Sequence, residues 1–316
     1  MREAMLELVT TRHNPLVDPG LHVWGFEIPL YLFLGGFVAG IMVLFGAALV
    51  RGRHSHAACV YSGLPLIGLV VLSLGMLALF LDLEHKLFTW RLYVTFEPYS
   101  PMSWGAWILL LVYPVLLAGA LIRPPALAVW LLPALDKLSA RLTARPSLLR
   151  WLGRASVAGG IALGIYTGIL LSALGARPLW SSALLGPLFL LSGLSAGAAF
   201  AHMTARDRKE SEGLARADNA FLAAELGVIA LFLIGLAGAS EAQARAADLL
   251  LGGPYTAVFW TLVVGLGILV PLFIQSLAVR HRIAHARVAP VFVLLGGLAL
   301  RFVIVYAGQY SHWPRV

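Results

Sequence analysis

Apolar and polar positions along this chain fall in long blocks. Predominantly apolar runs lie at about 26–50, 58–81, 104–122, 151–172, 182–204, 218–240, 255–279 and 289–310, separated by charged or proline-containing stretches. A helix rises about 1.5 Å per residue, so roughly 20 residues cross the ~30 Å hydrocarbon core of a bilayer. Strands of a membrane barrel would instead read as segments of about ten alternating residues. A run such as GLVVLSLGMLALFL does not alternate. The pattern predicts an all-α integral membrane protein with eight transmembrane helices.

Composition agrees: 60% of residues are hydrophobic and 12% charged, outside the range of soluble domains. The formal charge of +8 raises nucleic acid as a partner, but the basic residues sit in loops beside the spans, where orientation explains them. The loops after spans one, three, five and seven hold fourteen Lys and Arg, among them Arg51, Arg123, Lys137, Arg208 and Arg287. The opposite side holds seven, and Arg154 and Arg301 fall within spans. Positive-inside bias puts the odd-numbered loops in the cytoplasm and both termini outside.

Residues 1–25 are polar, with His13, Pro15, Asp18 and Pro19, so the first span is expected to serve as its own insertion signal. The lone Cys59 excludes an internal disulfide and an iron–sulfur cluster held by this chain, since a cluster takes about four cysteines.

No loop is long enough for a separate domain, so residues 1–316 read as a single transmembrane domain. The connection over about 123–150, with its AVWLLPALDKLSARLTARPSLLRW, mixes apolar and basic residues and predicts an interfacial amphipathic helix between spans three and four. PLYLFLGGFVAG opens the first span and PLFLLSGLSAG the fifth, an echo that points to two duplicated four-helix bundles. The plainer reading is that small residues at this spacing let any membrane helices pack closely.

Ionisable residues at membrane depth are costly and default to functional candidates. Several gather at the outer ends. Glu27 and Tyr31 share a face of span one, Asp82, Glu84 and His85 end span two, and Ser103 is placed to cap span three. Span four ends near Tyr166 and Thr167, and span eight carries Arg301 and then Gln309. A quinone headgroup needs donors to two carbonyls, a proton-exchanging group and an apolar path for its tail, and this cluster offers those groups. The bland alternatives are interfacial anchoring for the aromatic residues, solvated loop positions for Asp82 and His85, and a mutually satisfied ion pair between Glu27 and Arg301.

A second set, Asp218 and Glu225 seven apart in span six with His202 at the end of span five, is a candidate proton path. Here the alternative is that carboxylates in the first turns of a helix are favoured by its dipole and still reach water. Axial histidines in mid-span, the mark of membrane haem, are lacking: His13, His22, His85 and His312 fall outside, and His54, His56, His202, His281 and His285 at the inner ends. Electrons would then pass through a partner docked on the outer surface.

These residues resemble the NrfD or polysulfide reductase membrane-subunit family. The motifs, in order, are IPLYLFLGGFVAG in span one, LDLEHKLFTW with SPMSWGAW before span three, YTGILLSA with RPLWSSALLGPLFLLSGLSAG across spans four and five, and GGLALRFVIVYAGQ in span eight. The resemblance implies an eight-helix quinone-binding anchor without haem in the bacterial inner membrane. It also implies an iron–sulfur partner, often joined by a molybdopterin catalytic subunit or a multihaem cytochrome facing the periplasm. By position it points to Glu27, Tyr31 and Tyr166 as quinone-site residues, with menaquinone or ubiquinone as the ligand. Some members carry Asn and His in span one where this chain has Glu27 and Tyr31, which leaves His85 as the substitute histidine.

The expected function is therefore electron exchange between the quinone pool and a periplasm-facing partner. Glu27 and His85 act on protons, and Tyr31, Tyr166, Thr167, Asp82, Ser103, Arg301 and Gln309 form the quinone site. The alternatives are a secondary transporter and a structural anchor without quinone chemistry.

Overall fold

Prolines and charged residues mark where the helices begin and end. The computed structural model of the protein describes residues 24–52, 63–83, 85–205, 207–279 and 288–312. Among them are eight helices long and apolar enough to cross a membrane: α1 Glu27–Val50, α2 Leu64–Asp82, α3 Pro101–Ile122, α4 Pro146–Ser172, α5 Leu185–Thr204, α6 Arg208–Ala239, α7 Thr256–Val279 and α8 Val288–Tyr310. His13, His22, His54, His56, Cys59, Glu84, His281 and His285 lie outside the described residues. The protein is all-α and multi-pass.

Two boundaries differ from the apolar pattern in an instructive way. Helix α4 starts at Pro146, five residues before its apolar run, because proline in the first turn has its φ already set and needs no N–H partner. Helix α6 starts at Arg208, ten residues before its run. Its polar first turns are held by side-chain pairs one turn apart, Arg208 to Glu212 at 3.2 Å and Arg216 to Glu212 at 4.0 Å. The single interfacial helix expected over 123–150 is instead two short helices, Ala126–Leu131 and Ala134–Thr143, broken around Pro133, and its tail belongs to α4. Ser139 donates to the Ile122 carbonyl at 2.6 Å and so ties the second short helix to the end of α3.

The packing order shows two equivalent rings. Helix α1 packs on α2 and α4, and α3 on α2 and α4; in the same order α5 packs on α6 and α8, and α7 on α6 and α8. Contacts of α1 with α5, of α4 with α5 and of α8 with α1 join the rings, as a twofold relation between the halves requires. The buried apolar residues divide accordingly, Ile41, Met42, Leu72, Val112 and Leu163 filling the first ring and Phe232, Leu236, Val263, Leu300 and Ile304 the second.

The echoed small residues form the seam. Gly36 and Gly40 of α1 face Gly193 and Gly197 of α5, and a methyl group on Gly197 would sit 2.6 Å from the Gly40 carbonyl carbon. Lipid gives helices no hydrophobic reason to associate, so close backbone approach at such glycines supplies the van der Waals contact. Helix α7 carries an 11-residue stretch of π-helix, Phe259–Leu269, whose Gly267 packs on Gly296 of α8. Nothing in the apolar pattern signals that winding.

Candidate functional site

The first ring gathers its polar groups at the end where α1 begins. Glu27, in the first turn of α1, lies half-buried with its carboxylate folded against Gly25. One turn on, Tyr31 is 2% exposed. Tyr166 of α4 is also buried, and Tyr31 lies close to Tyr166 and to Tyr93. Asp82, at the end of α2, stands in the same relation to Glu27. Gly105 of α3 leaves room for the Tyr166 phenol. Neither the Tyr31 nor the Tyr166 hydroxyl is hydrogen-bonded to another described residue. Two buried phenols and two carboxylates therefore lie at the same end of the first ring.

Other expected members sit differently. Thr167 is buried, but its hydroxyl donates to Gly164 of its own helix at 2.8 Å and its methyl packs toward Gly35. Ser103 does not cap α3: the helix starts at Pro101 with Ser100 before it. The Ser103 hydroxyl instead accepts from the Glu97 amide at 3.0 Å and donates to the Thr95 carbonyl at 3.4 Å, fastening the preceding loop. Trp104 adds a bond to the Pro98 carbonyl at 2.8 Å. His85 is exposed and meets Phe88 edge-on, and Arg91 lies over the same Phe88 ring. Tyr93, from the short helix Arg91–Val94, has its phenol held above the ordinary range by burial and, secondarily, by Tyr113.

Gln309 belongs to a third place, the junction of the rings at the end where α8 finishes. Its amide donates to the Trp24 carbonyl at 3.0 Å, Trp24 stacks on Trp180 at 5.1 Å, and Trp180 donates to the Ile304 carbonyl at 2.9 Å. Arg177 reaches the Ser311 carbonyl at 3.1 Å and His312 at 2.8 Å.

The second ring holds a buried polar network, and Arg301 is part of it. Its guanidinium donates to the Phe189 carbonyl at 2.9 Å, lies 4.1 Å from the Phe189 ring centre and sits in electrostatic reach of Glu225. Among the described residues Arg301 forms no ion pair, with Glu27 or with Glu225, and its Nε and Nη1 are buried without a hydrogen-bond partner; Glu225 is the carboxylate within its electrostatic reach. Glu225 meets the Ser192 hydroxyl, and Asp218 accepts from Ser195 at 2.7 Å and from Gln275 at 2.7 Å. Asn219, next in sequence, separately donates to the Ser276 hydroxyl at 3.4 Å. Asp218 and Glu225 do share a face, but neither lies in a first turn: α6 begins ten residues before Asp218, which is 0% exposed.

The two polar regions approach each other at the seam. Arg301 points at Gly36, where a Cβ would be 3.1 Å from its Nη2. Gly36 lies five residues beyond Tyr31 on α1, roughly 7 Å along the axis. Sequence reading missed Tyr93, Ser192, Ser195 and Gln275. Gln275 satisfied the same test that found Asp218, a polar group at membrane depth, and Ser192 and Ser195 share a helix face three residues apart. Nothing in the sequence could have brought Tyr93 back against α1.

Eight membrane helices in two matched rings, with tyrosines and carboxylates at one end of the first and buried polar groups in the second, define a multi-pass membrane protein with ionisable groups at depth. A family model described as polysulphide reductase, NrfD, matches residues 11–311, and the chain belongs to that family. It is 34% identical to protein NrfD of Escherichia coli (strain K12), over 92% of this chain and 96% of that one. It is 30% identical to one polypeptide of the polysulfide reductase of Wolinella succinogenes, over 91% of this chain and 94% of that one. It is also 30% identical to one polypeptide of the tetrathionate reductase of Salmonella typhimurium (strain LT2), over 87% of this chain and 75% of that one.

Proposed function

We propose that this protein is the quinone-reactive membrane anchor of a respiratory reductase complex in the bacterial inner membrane, with both termini in the periplasm. The observation that carries the reading is the pair of buried phenols of Tyr31 and Tyr166, neither hydrogen-bonded to another described residue, at the same end of the first ring as Glu27 and Asp82. The relatives' names add weight, since two of them are components of a polysulfide reductase and of a tetrathionate reductase. The partner is an iron–sulfur subunit with a molybdopterin catalytic subunit, or a multihaem cytochrome, docked on the outer face; haem and clusters belong to the partners and not to this polypeptide.

In this mechanism a quinol, menaquinol or ubiquinol, enters from the lipid. Tyr31 or Tyr166 donates to one ring oxygen and fixes the orientation. Oxidation to quinone releases two protons and two electrons. Glu27, with Asp82 beside it, accepts protons at the outer face, with His85 as the exposed exchanger, and the electrons leave to the partner's nearest cluster. In the reverse direction the same groups return protons as quinone is reduced.

The buried network of the second ring is proposed as a proton route. Arg301 heads it beside α1; Glu225 with Ser192, and further along α6 Asp218 with Ser195 and Gln275, continue it. Hydroxyl, amide and carboxylate groups in contact can hand protons on, directly or through water.

The test is to purify the protein with what accompanies it and measure quinone content and the visible spectrum before and after reduction. Bound quinone, no haem bands and an iron–sulfur partner are expected. A solitary protein without quinone contradicts the reading.

A further inference from the structure

At the end of α1 and α4 opposite the tyrosines, a groove of about 490 Å³ runs between the two helices. Its walls are apolar, from Ala47 and Val50 on α1 and Val157 and Ala158 on α4, and Arg51 and Arg154 stand in it. A neighbouring depression of about 240 Å³ shares Arg154 and adds Arg150 and Trp151, over whose ring the Arg154 guanidinium lies at 5.2 Å. Arg154 is eight residues into α4 but only three past the start of its apolar run, roughly 5 Å along the axis, and its side chain is exposed on the outside of the bundle. Among the described residues, the ion pairs join Arg208, Arg216 and Arg245 to their carboxylates, and none involves Arg51, Arg150 or Arg154.

A lipid-facing arginine at that depth is costly unless its charge reaches the headgroup level or meets an anion there. Two guanidiniums above an apolar groove, with an indole beside them, match one kind of occupant in both charge and shape. We propose that this groove binds an anionic phospholipid, its phosphate held by Arg51 and Arg154 and one acyl chain laid along Ala47, Val157 and Ala158. The leaflet concerned is the one that basic loop bias assigns to the cytoplasm. The site involves no quinone-site residue, so it stands or falls separately from the redox reading.

The test uses the full-length protein, delipidated in detergent and titrated with phosphatidylglycerol or phosphatidylcholine under native mass spectrometry. One copy of phosphatidylglycerol is expected to bind well ahead of phosphatidylcholine. The double variant R51Q/R154Q should weaken that copy roughly 30-fold, as expected for removing two basic groups at an anionic headgroup. The charge-matched control R141Q/R216Q should bind as wild type. A158F, which fills the groove and leaves the charges, should weaken binding as well. Equal binding of the two lipids, equal weakening by the control, undiminished binding by A158F, or displacement of the lipid by millimolar inorganic phosphate would each overturn the proposal.

Discussion

Gly105 of α3 lies directly against the Tyr166 phenol of α4, so that a methyl group at position 105 would take the space of the hydroxyl. Because Tyr166 is buried and its hydroxyl is not hydrogen-bonded to another described residue, that space sets where its donor points. G105A is expected to displace the ring and lower quinol-linked turnover while the protein still inserts. Y166F removes one neutral donor and should raise the KM for quinol about fivefold, in line with roughly 1 kcal/mol for such a bond. Steady-state kinetics of membranes carrying each variant check both, and wild-type kinetics in G105A would remove Tyr166 from the site.

Glu27 is the carboxylate beside Tyr31, and it carries the proton step in the proposed mechanism. E27Q keeps the shape and removes the exchangeable charge. It should abolish quinol-linked activity while the partner subunits still co-purify; unchanged turnover removes Glu27 from the chemistry.

Arg301 and Glu225 share a buried site in the second ring, and removing one partner strands the other. R301M leaves the Phe189 carbonyl without its donor and the buried Glu225 without its nearby positive charge, and is expected to cost about 1–3 kcal/mol. Replacing both, as R301M/E225Q, should recover most of that loss. Unfolding midpoints in detergent decide it, and an R301M protein as stable as wild type would mean that the pair is not coupled.

Asp218 accepts two hydrogen bonds, from Ser195 and Gln275. In D218N an amide NH₂ must face one of these donors, leaving a buried group unsatisfied at about 1–3 kcal/mol. A matching fall in thermal stability is expected. If the network is also the proton route, proton uptake per electron should drop in E225Q, measured with a pH-sensitive dye in vesicles.

The seam predicts a contrast between glycines. A side chain at Gly197 would meet the α1 backbone, so G197V should separate the rings and cost at least about 1–3 kcal/mol. Gly227 of α6 has nothing within 4 Å of where a Cβ would be, and G227A should be neutral or slightly stabilising. Membrane abundance and melting temperature separate the two.

The eight helices were legible because a bilayer demands long apolar runs, and the repeat was legible in the two glycine-rich openings that became the α1–α5 seam. The polar extension of α6 was not, since side-chain pairing lengthens a helix without changing its hydropathy. Within the site, Glu27 with Tyr31 and Asp218 with Glu225 could be paired from helical spacing alone. Arg301 could not be assigned: its sequence neighbours Tyr306 and Gln309 point to the outer face, but its side chain crosses to Phe189 and Glu225 on other helices. Tyr93 and the loop bonds of Ser103 depend on how a connecting segment folds back, which periodicity does not encode.

The most direct test of the central claim is photoaffinity labelling of membranes with an azido-quinone, followed by peptide mapping. The account predicts crosslinks to α1 around Glu27 and Tyr31 and to α4 around Tyr166, suppressed by excess quinol and reduced in Y166F and E27Q. Crosslinks confined to other helices, or labelling that quinol does not compete, would contradict it.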